Sequence, residues 1–197
     1  MIRLAITGPS GSGKGYLCAM LKDRGIPCLD CDRVVHEIYK DPAFTKELSQ
    51  LFMTDLADAS GAVDRAKLRA LVFGSDDNMK ALMQRVYPAV RARCAAFLQA
   101  CAQEGKACAA VDAPQLFEAG FGEDYDVIVA VLAPLEERVA RIMKRDGITR
   151  VEAFERIAHQ MTDEEYAKRS DAVIRNGSAD DAREALKSLL AAYGVAE

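Results

Sequence analysis

The chain has 197 residues, of which 50% are hydrophobic and 28% are charged, a balance typical of one globular core with room for a small inserted subdomain. Its net charge of −4 argues against a general nucleic-acid-binding surface. No apolar run reaches the ~18 residues that a membrane span requires, and the N-terminus enters a predicted strand at once. We therefore expect a cytoplasmic protein that binds neither nucleic acid nor a membrane, with six mostly reduced cysteines. No pattern indicates an oligomeric state.

Residues 2–16, IRLAITGPSGSGKGY, predict a strand, a glycine-rich loop and a helix in that order. The run Ile2 to Thr7 is typical of a buried strand, and apolar residues recur at helical spacing after Gly13. Gly8, Gly13 and Lys14 match the spacing G-x-x-x-x-G-K of a phosphate-binding loop. A plain glycine turn, the alternative, would leave Lys14 unexplained.

Such a loop turns backbone N–H groups toward phosphate oxygens, while the following helix N-terminus and the lysine add positive charge. The sequence therefore predicts nucleoside triphosphate binding. We expect ATP to be bound by the loop residues Gly8, Pro9, Ser10, Gly11, Ser12, Gly13, Lys14, Gly15 and Tyr16.

Gly15 departs from the usual motif, in which a Ser or Thr hydroxyl at this position binds Mg²⁺. The sequence GPSGSGKG is similar to the loop of nucleoside monophosphate kinases, especially cytidylate kinases. Mg²⁺ would then be held through waters and nucleotide phosphates, which suits this ion.

Two aspartates follow the second predicted strand, at residues 26–29. Asp30 and Asp32 stand at the strand's carboxyl end and near a predicted helix start, the edge where open α/β sheets bind ligands. One carboxylate is expected to cap the helix while the other faces the site.

Residues 42–105 predict helices separated by turns at Ser60–Gly61 and at 74–77, with Pro88 kinking or restarting the last and longest helix. Because this block interrupts a strand–helix alternation, we interpret it as a helical insertion that serves a second substrate.

Strand patterns return at residues 107–112 and 127–132. Asp112 ends the first of them and is a candidate ligand of Mg²⁺, with a strand-end turn residue as the alternative. Phe117 and Glu118 follow, and Glu118 either positions a substrate or caps a turn.

Arg138, Arg141 and Arg145 recur at i, i+3 and i+7 and predict a helix face that repels itself unless an anion binds. Because Glu136 and Glu137 lie at the other end of this helix, we expect the basic end to lack a counter-charge. Arg141 and Arg145 are therefore predicted to clamp phosphate.

A break at Asp146–Gly147 and a new helix start at Thr149–Arg150 predict a helical hairpin, typical of a lid over ATP. The last predicted strand, 171–175, is followed by Asn176, which either contacts the base or is a turn residue, and a final helix is predicted from about Ser178.

At this point the sequence resembles the dephospho-coenzyme A kinase family along nearly the whole chain. The resemblance rests on an ordered series of motifs: GPSGSGKG, DCDRVVHEIY, GAVDRAKLRALVF, YPAV, DAPQLFE, RIMKRDGITR, AHQM and DAVIRNG. Three positions depart from the family pattern: Gly15 replaces Ser, Tyr87 replaces His and Gln115 replaces Leu.

The resemblance implies an α/β fold of the P-loop NTPase type, with a parallel five-stranded sheet flanked by helices. It implies a single kinase domain whose core spans about 1–40, 106–135 and 170–197, with a substrate insertion at about 41–105 and an arginine-rich lid at about 136–169.

The resemblance also implies the reaction: ATP phosphorylates the ribose 3′-hydroxyl of dephospho-CoA, giving CoA and ADP. Asp32 resembles the family's proposed base, and Lys14, Arg141 and Arg145 would stabilise the transferring phosphoryl group. Substrate contacts are expected from Asp30, Tyr87, Phe117 and Glu118.

Two other functions stay open at this stage. A nucleoside monophosphate kinase is favoured by Gly15, but its phosphate acceptor needs arginines where this chain has Asp30 and Asp32. A non-catalytic nucleotide switch would not need the long helical insertion.

Overall fold

The computed structural model describes residues 1–177 and 179–195. Within them a five-stranded sheet has the order β2-β3-β1-β4-β5. Strand β1 runs parallel to β3 and β4, and β4 runs parallel to β5, as predicted. The strands are β1 (Ile2–Thr7), β2 (Cys28–Asp30), β3 (Cys108–Asp112), β4 (Val127–Leu132) and β5 (Ala172–Arg175).

The α-helices of the described residues are α1 (Lys14–Asp23), α2 (Cys31–Ile38), α3 (Pro42–Leu51), α4 (Arg65–Val72), α5 (Asp76–Gln103), α6 (Leu135–Asp146), α7 (Arg150–Ala158), α8 (Asp163–Arg169) and α9 (Ala179–Ala192). The predicted start of the final helix, near Ser178, lies outside the described residues. Over the same residues, none of these helices combines the length and the apolar character that crossing a membrane would need.

The chain divides into two compact units, and the first comprises Met1–Leu29 and Leu98–Glu197. It contains nearly the whole sheet, whose central strands are buried on both faces, as parallel strands covered by helices must be. Helices α1 and α9 pack together against the sheet through one apolar cluster. The members of this cluster include Leu4, Ile6, Leu17, Leu21, Val129, Ile174 and Leu186.

The second unit, Asp30–Phe97, contains α2, α3, α4 and most of α5. The rings of Tyr39 and Phe44 stack with centroids 6.1 Å apart, and the buried thiols of Cys31 and Cys94 lie 3.7 Å apart. All six cysteines of the chain are free thiols.

Helix α5 continues without a break through Pro88, so of the two predicted outcomes, a kink or a restart, the restart is wrong. Proline removes one backbone hydrogen bond of the helix. The apolar stripe is nevertheless buried on both sides of it, at Val86 and Val90, and burial of this stripe outweighs the loss. The predicted turn at 74–77 is shorter than expected, because α5 begins at Asp76. The Ser75 hydroxyl accepts the Asn78 N–H at 3.3 Å there.

Two capping boxes fix the helices that follow α6. Gly147, with φ of 67°, ends α6 as predicted, and Thr149 caps α7 reciprocally with Glu152. Thr162 caps α8 in the same way: its hydroxyl accepts the Glu165 N–H, while the Glu165 carboxylate accepts the Thr162 N–H at 2.7 Å.

We predict that Thr162→Ala lowers the free energy of unfolding by about 1 kcal/mol, because the Glu165 N–H loses its acceptor. Urea unfolding followed by circular dichroism measures the change. Thr162→Ser keeps the hydroxyl and should stay near the wild type. Equal midpoints for all three proteins would show that the capping box contributes nothing to stability.

Candidate phosphate-binding site

The loop between β1 and α1 has a backbone that only glycine accommodates at three positions. Gly8, Gly11 and Gly13 have φ of 137°, 77° and 98°. A Cβ atom would lie 2.3 Å from the Val131 carbonyl oxygen if placed on Gly8, and 1.9 Å from Asn176 Nδ2 if placed on Gly13. The glycine spacing that identified the loop therefore reflects close packing of its outer side against neighbouring elements.

Side chains donate hydrogen bonds to the carbonyl oxygens of the loop. Lys14 Nζ donates to the carbonyls of Gly8 and Pro9 at 2.8 and 3.2 Å. Arg138 Nε donates to Ser10 at 3.1 Å. Arg141 donates to the Gly11 and Ser12 carbonyls, and Asn176 also donates to Ser12. Within the described chain, each carbonyl from Gly8 to Ser12 therefore accepts a hydrogen bond from a side chain.

Fixing these carbonyls also fixes the direction of the N–H groups, because the two groups of a planar trans peptide point opposite ways. The bond to the Ser10 carbonyl orients the Gly11 N–H, and the bond to the Ser12 carbonyl orients the Gly13 N–H. In the part of the chain that the structure describes, the N–H groups of Gly11, Gly13 and Gly15 have no protein acceptor. Pro9 has no N–H and contributes shape alone.

These donors lie at the N-terminus of the ten-residue helix α1, whose dipole favours an anion. The Ser12 hydroxyl, in a fully buried residue, is also without a hydrogen-bond partner among the described residues. Convergent amides, a helix N-terminus and the ammonium group of Lys14 form a phosphate-binding arrangement.

The expectation that the basic end of α6 lacks a counter-charge is wrong. Arg141 pairs with Glu137 one turn earlier, at 2.6 Å, and Arg145 pairs with its neighbour Asp146 at 2.7 Å. Arg138, only 4% exposed, pairs with Asp163 of α8 at 3.0 Å. The sequence argument considered charges along one helix and omitted a carboxylate supplied by another.

The three arginines differ in what they contact. Burial lowers the pKa of Arg138, and the charge of Asp163 opposes this shift. Arg138 therefore serves to hold the loop, through its bond to the Ser10 carbonyl. Arg141 reaches the loop backbone with one nitrogen and the Asn176 carbonyl with the other. Arg145 contacts both oxygens of Asp146, and its side chain is 61% exposed.

Asp146 binds Arg145 and Arg156 together, and these hydrogen bonds hold its pKa well below the usual range. Exposed ion pairs of this kind contribute little stability, so Arg145 can exchange partners at small cost. Its predicted role as a phosphate clamp stays a prediction.

Asn176 holds the loop with its side chain. It is 6% exposed, and Nδ2 donates to the Ser12 carbonyl at 2.8 Å. Its own backbone N–H donates to Leu132 of β4 at 2.7 Å, which places it at the carboxyl edge of the sheet as predicted. A base contact through the same amide nitrogen would compete with the bond to the loop.

Asp112 lies beside the loop because β3 pairs with β1 in a register that sets it opposite Ile6. Its carboxylate accepts the thiol of Cys18, one helical turn after Lys14, at 3.7 Å. Hydrogen bonding with Cys28, burial and the charge of Asp112 raise the pKa of Cys18, which keeps that thiol protonated.

The Asp112 carboxylate fits a place beside Mg²⁺ that is held mainly by phosphates and water. The described residues contain no cluster of three or more His, Cys, Asp or Glu side chains suited to a metal. Gly15 adds no hydroxyl, and the Asp112 carboxylate is an oxygen ligand of the kind that suits the predicted ion.

In the second unit, Asp30 is the N-cap of α2, and its carboxylate accepts the N–H groups of Asp32 and Arg33 at 2.9 and 3.3 Å. Of the two aspartates, Asp30 is therefore the one that caps the helix. Asp32 lies exposed in the first turn of α2. Tyr87, half-buried, lies in the middle of α5 just before Pro88.

Phe117 and Glu118 follow β3 in the first unit. The Phe117 ring packs 6.1 Å from that of Tyr166 and lies under the guanidinium of Arg169 at 4.3 Å. Glu118 is exposed, and burial together with the charge of Glu118 raises the pKa of Tyr166 to about 12. Their predicted contacts with substrate stay predictions.

Sequence reasoning missed the two residues that hold Ser10. Arg138 was interpreted only as part of a charged face, and Gln160 was noticed only as part of the motif AHQM. Gln160 Oε1 accepts the Ser10 N–H at 2.9 Å, and Nε2 donates to the Ser10 hydroxyl at 3.1 Å. The available signal was that Gln160, an uncharged amide, stands in a motif to which the predicted chemistry assigned no role.

A glycine loop between a central parallel strand and a helix, with its carbonyls bound by side chains and a carboxylate on the adjacent strand, defines a P-loop nucleotide-binding protein. The family model "CoaE: Dephospho-CoA kinase" matches residues 2–181. The chain belongs to the dephospho-CoA kinase family and is a kinase.

Individual relatives agree with this assignment. Dephospho-CoA kinase of Geobacillus kaustophilus is 32% identical over 199 residues, covering 100% of this chain and 98% of its own. The crystal structure of TT1252 from Thermus thermophilus has a TM-score of 0.81 at 34% identity, with 97% of each chain covered. Dephospho-CoA kinase from Campylobacter jejuni has a TM-score of 0.72 at 25% identity, covering 97% of this chain and 96% of its own.

We predict that Gly13→Ala lowers the free energy of unfolding by about 3 kcal/mol, because its methyl group displaces the buried Asn176 amide and its φ is strained. Gly15→Ala is the matched control: nothing lies within 4 Å of a Cβ there, and the residue is in the first turn of α1. It should gain about 0.5–1 kcal/mol. Denaturant unfolding measures both, and equal effects would contradict the loop geometry.

Proposed function

We propose that this chain transfers the γ-phosphoryl group of ATP to the ribose 3′-hydroxyl of dephospho-CoA, giving coenzyme A and ADP, the last step of coenzyme A biosynthesis. Membership of the dephospho-CoA kinase family supports the acceptor. ATP as donor is supported mainly by the loop itself: its carbonyls accept hydrogen bonds from side chains, and the N–H groups of Gly11, Gly13 and Gly15 have no protein acceptor among the described residues.

Phosphoryl transfer depends on in-line positioning and charge stabilisation more than on covalent help from the protein. The N–H groups of Gly11, Gly13 and Gly15 would bind phosphate oxygens, and Lys14 would leave the Gly8 and Pro9 carbonyls for the β- and γ-phosphates. Mg²⁺, held by phosphates with Asp112 nearby, would supply charge neutralisation.

The arginines of α6 are assigned two tasks. Arg141 already contacts the loop backbone and would meet phosphate oxygens by a short movement. Arg145 would exchange Asp146 for the transferring group, which gains negative charge on its oxygens in the transition state. The predicted lid, about 136–169, would carry both residues, and the insertion at about 41–105 would bind dephospho-CoA.

Asp32 is the proposed base on the acceptor side. The 3′-oxygen attacks the γ-phosphorus, the bond from that phosphorus to the bridging oxygen of ADP breaks, and the hydroxyl proton passes to the Asp32 carboxylate. The carboxylate of Asp30 accepts two backbone N–H groups at the helix start, which supports Asp32 rather than Asp30 in this role.

The remaining expectations belong to the same proposal. Tyr87, Phe117 and Glu118 would contact dephospho-CoA, and Asn176 would approach the ATP base from its place behind the loop. A cytoplasmic location suits the free thiols of all six cysteines.

We predict that the purified protein with ATP and Mg²⁺ phosphorylates dephospho-CoA far faster than CMP, UMP or AMP. A coupled assay of ADP release with each acceptor, followed by mass spectrometry of the product, makes the comparison. Fastest turnover of CMP would instead assign a nucleoside monophosphate kinase, the alternative that Gly15 favours. ATP binding without turnover of any acceptor would favour a nucleotide switch.

We predict that Asp32→Asn lowers kcat by ~10²–10⁴-fold, the usual contribution of a positioned general base. The Kd for ATP should barely change. Asp30→Asn is the matched control and should cost about 1 kcal/mol of stability at most through the helix cap. More than about a tenth of wild-type kcat in Asp32→Asn, with chemistry rate-limiting, would exclude Asp32 as the base.

A further inference from the structure

Ser10 is the loop residue whose polar groups are most completely bound by side chains distant in sequence. Its N–H donates to Gln160 Oε1 at 2.9 Å, and its hydroxyl accepts from Gln160 Nε2 at 3.1 Å. Its carbonyl accepts from Arg138 Nε at 3.1 Å. Two side chains therefore fix this residue at all three of its hydrogen-bonding groups.

The direction of the Gln160 amide follows from its partners. A backbone N–H can only donate, so the amide atom facing it must be the oxygen, and the nitrogen then faces the Ser10 hydroxyl. The carboxamide is planar and spans both groups of one residue. Such a paired contact restricts the rotation of Ser10 as well as its position.

The peptide plane that follows Ser10 needs this support because the next residue is a glycine. Gly11 lies at a positive φ and can adopt many conformations, whereas Pro9, on the other side of Ser10, has its own φ fixed by its ring. The direction of the Gly11 N–H depends on the peptide plane that begins with the Ser10 carbonyl. A displaced Ser10 would therefore misdirect one of the proposed phosphate donors.

Gln160 is itself held on anchored elements. It lies between the end of α7 and the Thr162 cap of α8. Helix α7 packs on α6 through a cluster that includes Ile142 and Ala153. Helix α8 is anchored by Tyr166, which is 1% exposed. The amide is thus presented from a segment between two packed helices.

We propose that Gln160 is a positioning residue of the phosphate loop, which it keeps in its ATP-binding conformation through the N–H and hydroxyl of Ser10. The inference rests on the proposed function, because it takes the loop to bind ATP. Loss of the amide lowers the fraction of molecules whose loop can bind ATP. The apparent ATP affinity falls in proportion to that fraction.

Gln160→Met tests this inference, because it keeps the length of the side chain and removes both hydrogen bonds. We expect the Kd for ADP and the KM for ATP to rise about tenfold and kcat to fall, as suits the loss of two neutral hydrogen bonds. The KM for dephospho-CoA should stay within about twofold. Calorimetry gives the ADP affinity without requiring turnover.

Ser10→Ala and the double variant Ser10→Ala/Gln160→Met separate positioning from general stability. Ser10→Ala loses only the hydroxyl contact, so it should weaken ADP binding less, by about threefold. The double variant should resemble Gln160→Met alone, because the two residues act through one contact. His159→Ala, an exposed neighbour, is the control and should behave as wild type.

The outcomes are distinguishable. Wild-type ADP affinity in Gln160→Met, additive effects in the double variant, or a fall in melting temperature with unchanged ADP affinity would each overturn the inference. If Gln160→Met does not fold, unchanged ADP affinity in folded Ser10→Ala overturns it. A wild-type protein that fails to bind ADP would refute the proposed function instead, and turnover of another acceptor would refute only the acceptor.

Discussion

The structure of the site depends on the orientation of peptide planes in one glycine-rich loop. Glycines allow the close approach to Val131 and Asn176 but leave those planes free to turn at low cost. Hydrogen bonds from Arg138 and Asn176 to the Ser10 and Ser12 carbonyls remove this freedom at the two planes that follow. The opposite N–H groups are thereby fixed before any anion arrives, and little reorganisation is needed when one binds. An anion site is thus built from the side that the anion does not touch.

Burial separates the cation that maintains this arrangement from the one that lies at the surface. Arg138 is buried and pairs with the partly exposed Asp163, so removing that carboxylate would leave a costly unpaired charge in the interior. Arg145 shares exposed Asp146 with Arg156, and such a pair is readily exchanged. Three arginines at regular spacing on one helix therefore range from buried to exposed, and burial rather than charge distinguishes them.

Much of the fold was predictable because its determinants are local. Apolar runs gave the strands, and the spacing of Gly8, Gly13 and Lys14 gave the loop. The cap at Asp30 and the helix end at Gly147 followed from the properties of single residues. Contacts between distant residues were not predictable, since nothing local indicates that Gln160 meets Ser10 or that Asp163 neutralises Arg138. The unbroken helix at Pro88 likewise depends on burial along its length, which outweighs a local preference.

A crystal structure of the protein with ADP and Mg²⁺ tests the central claim most directly, namely that the loop amides bind the nucleotide phosphates. We expect the β-phosphate oxygens within hydrogen-bond distance of the Gly13 and Gly15 N–H groups, with Ser10 still bound by Gln160 and Arg138. ADP whose phosphates lie away from residues 8–15, or a loop whose carbonyls from Gly8 to Ser12 have turned to face the phosphates, would contradict it.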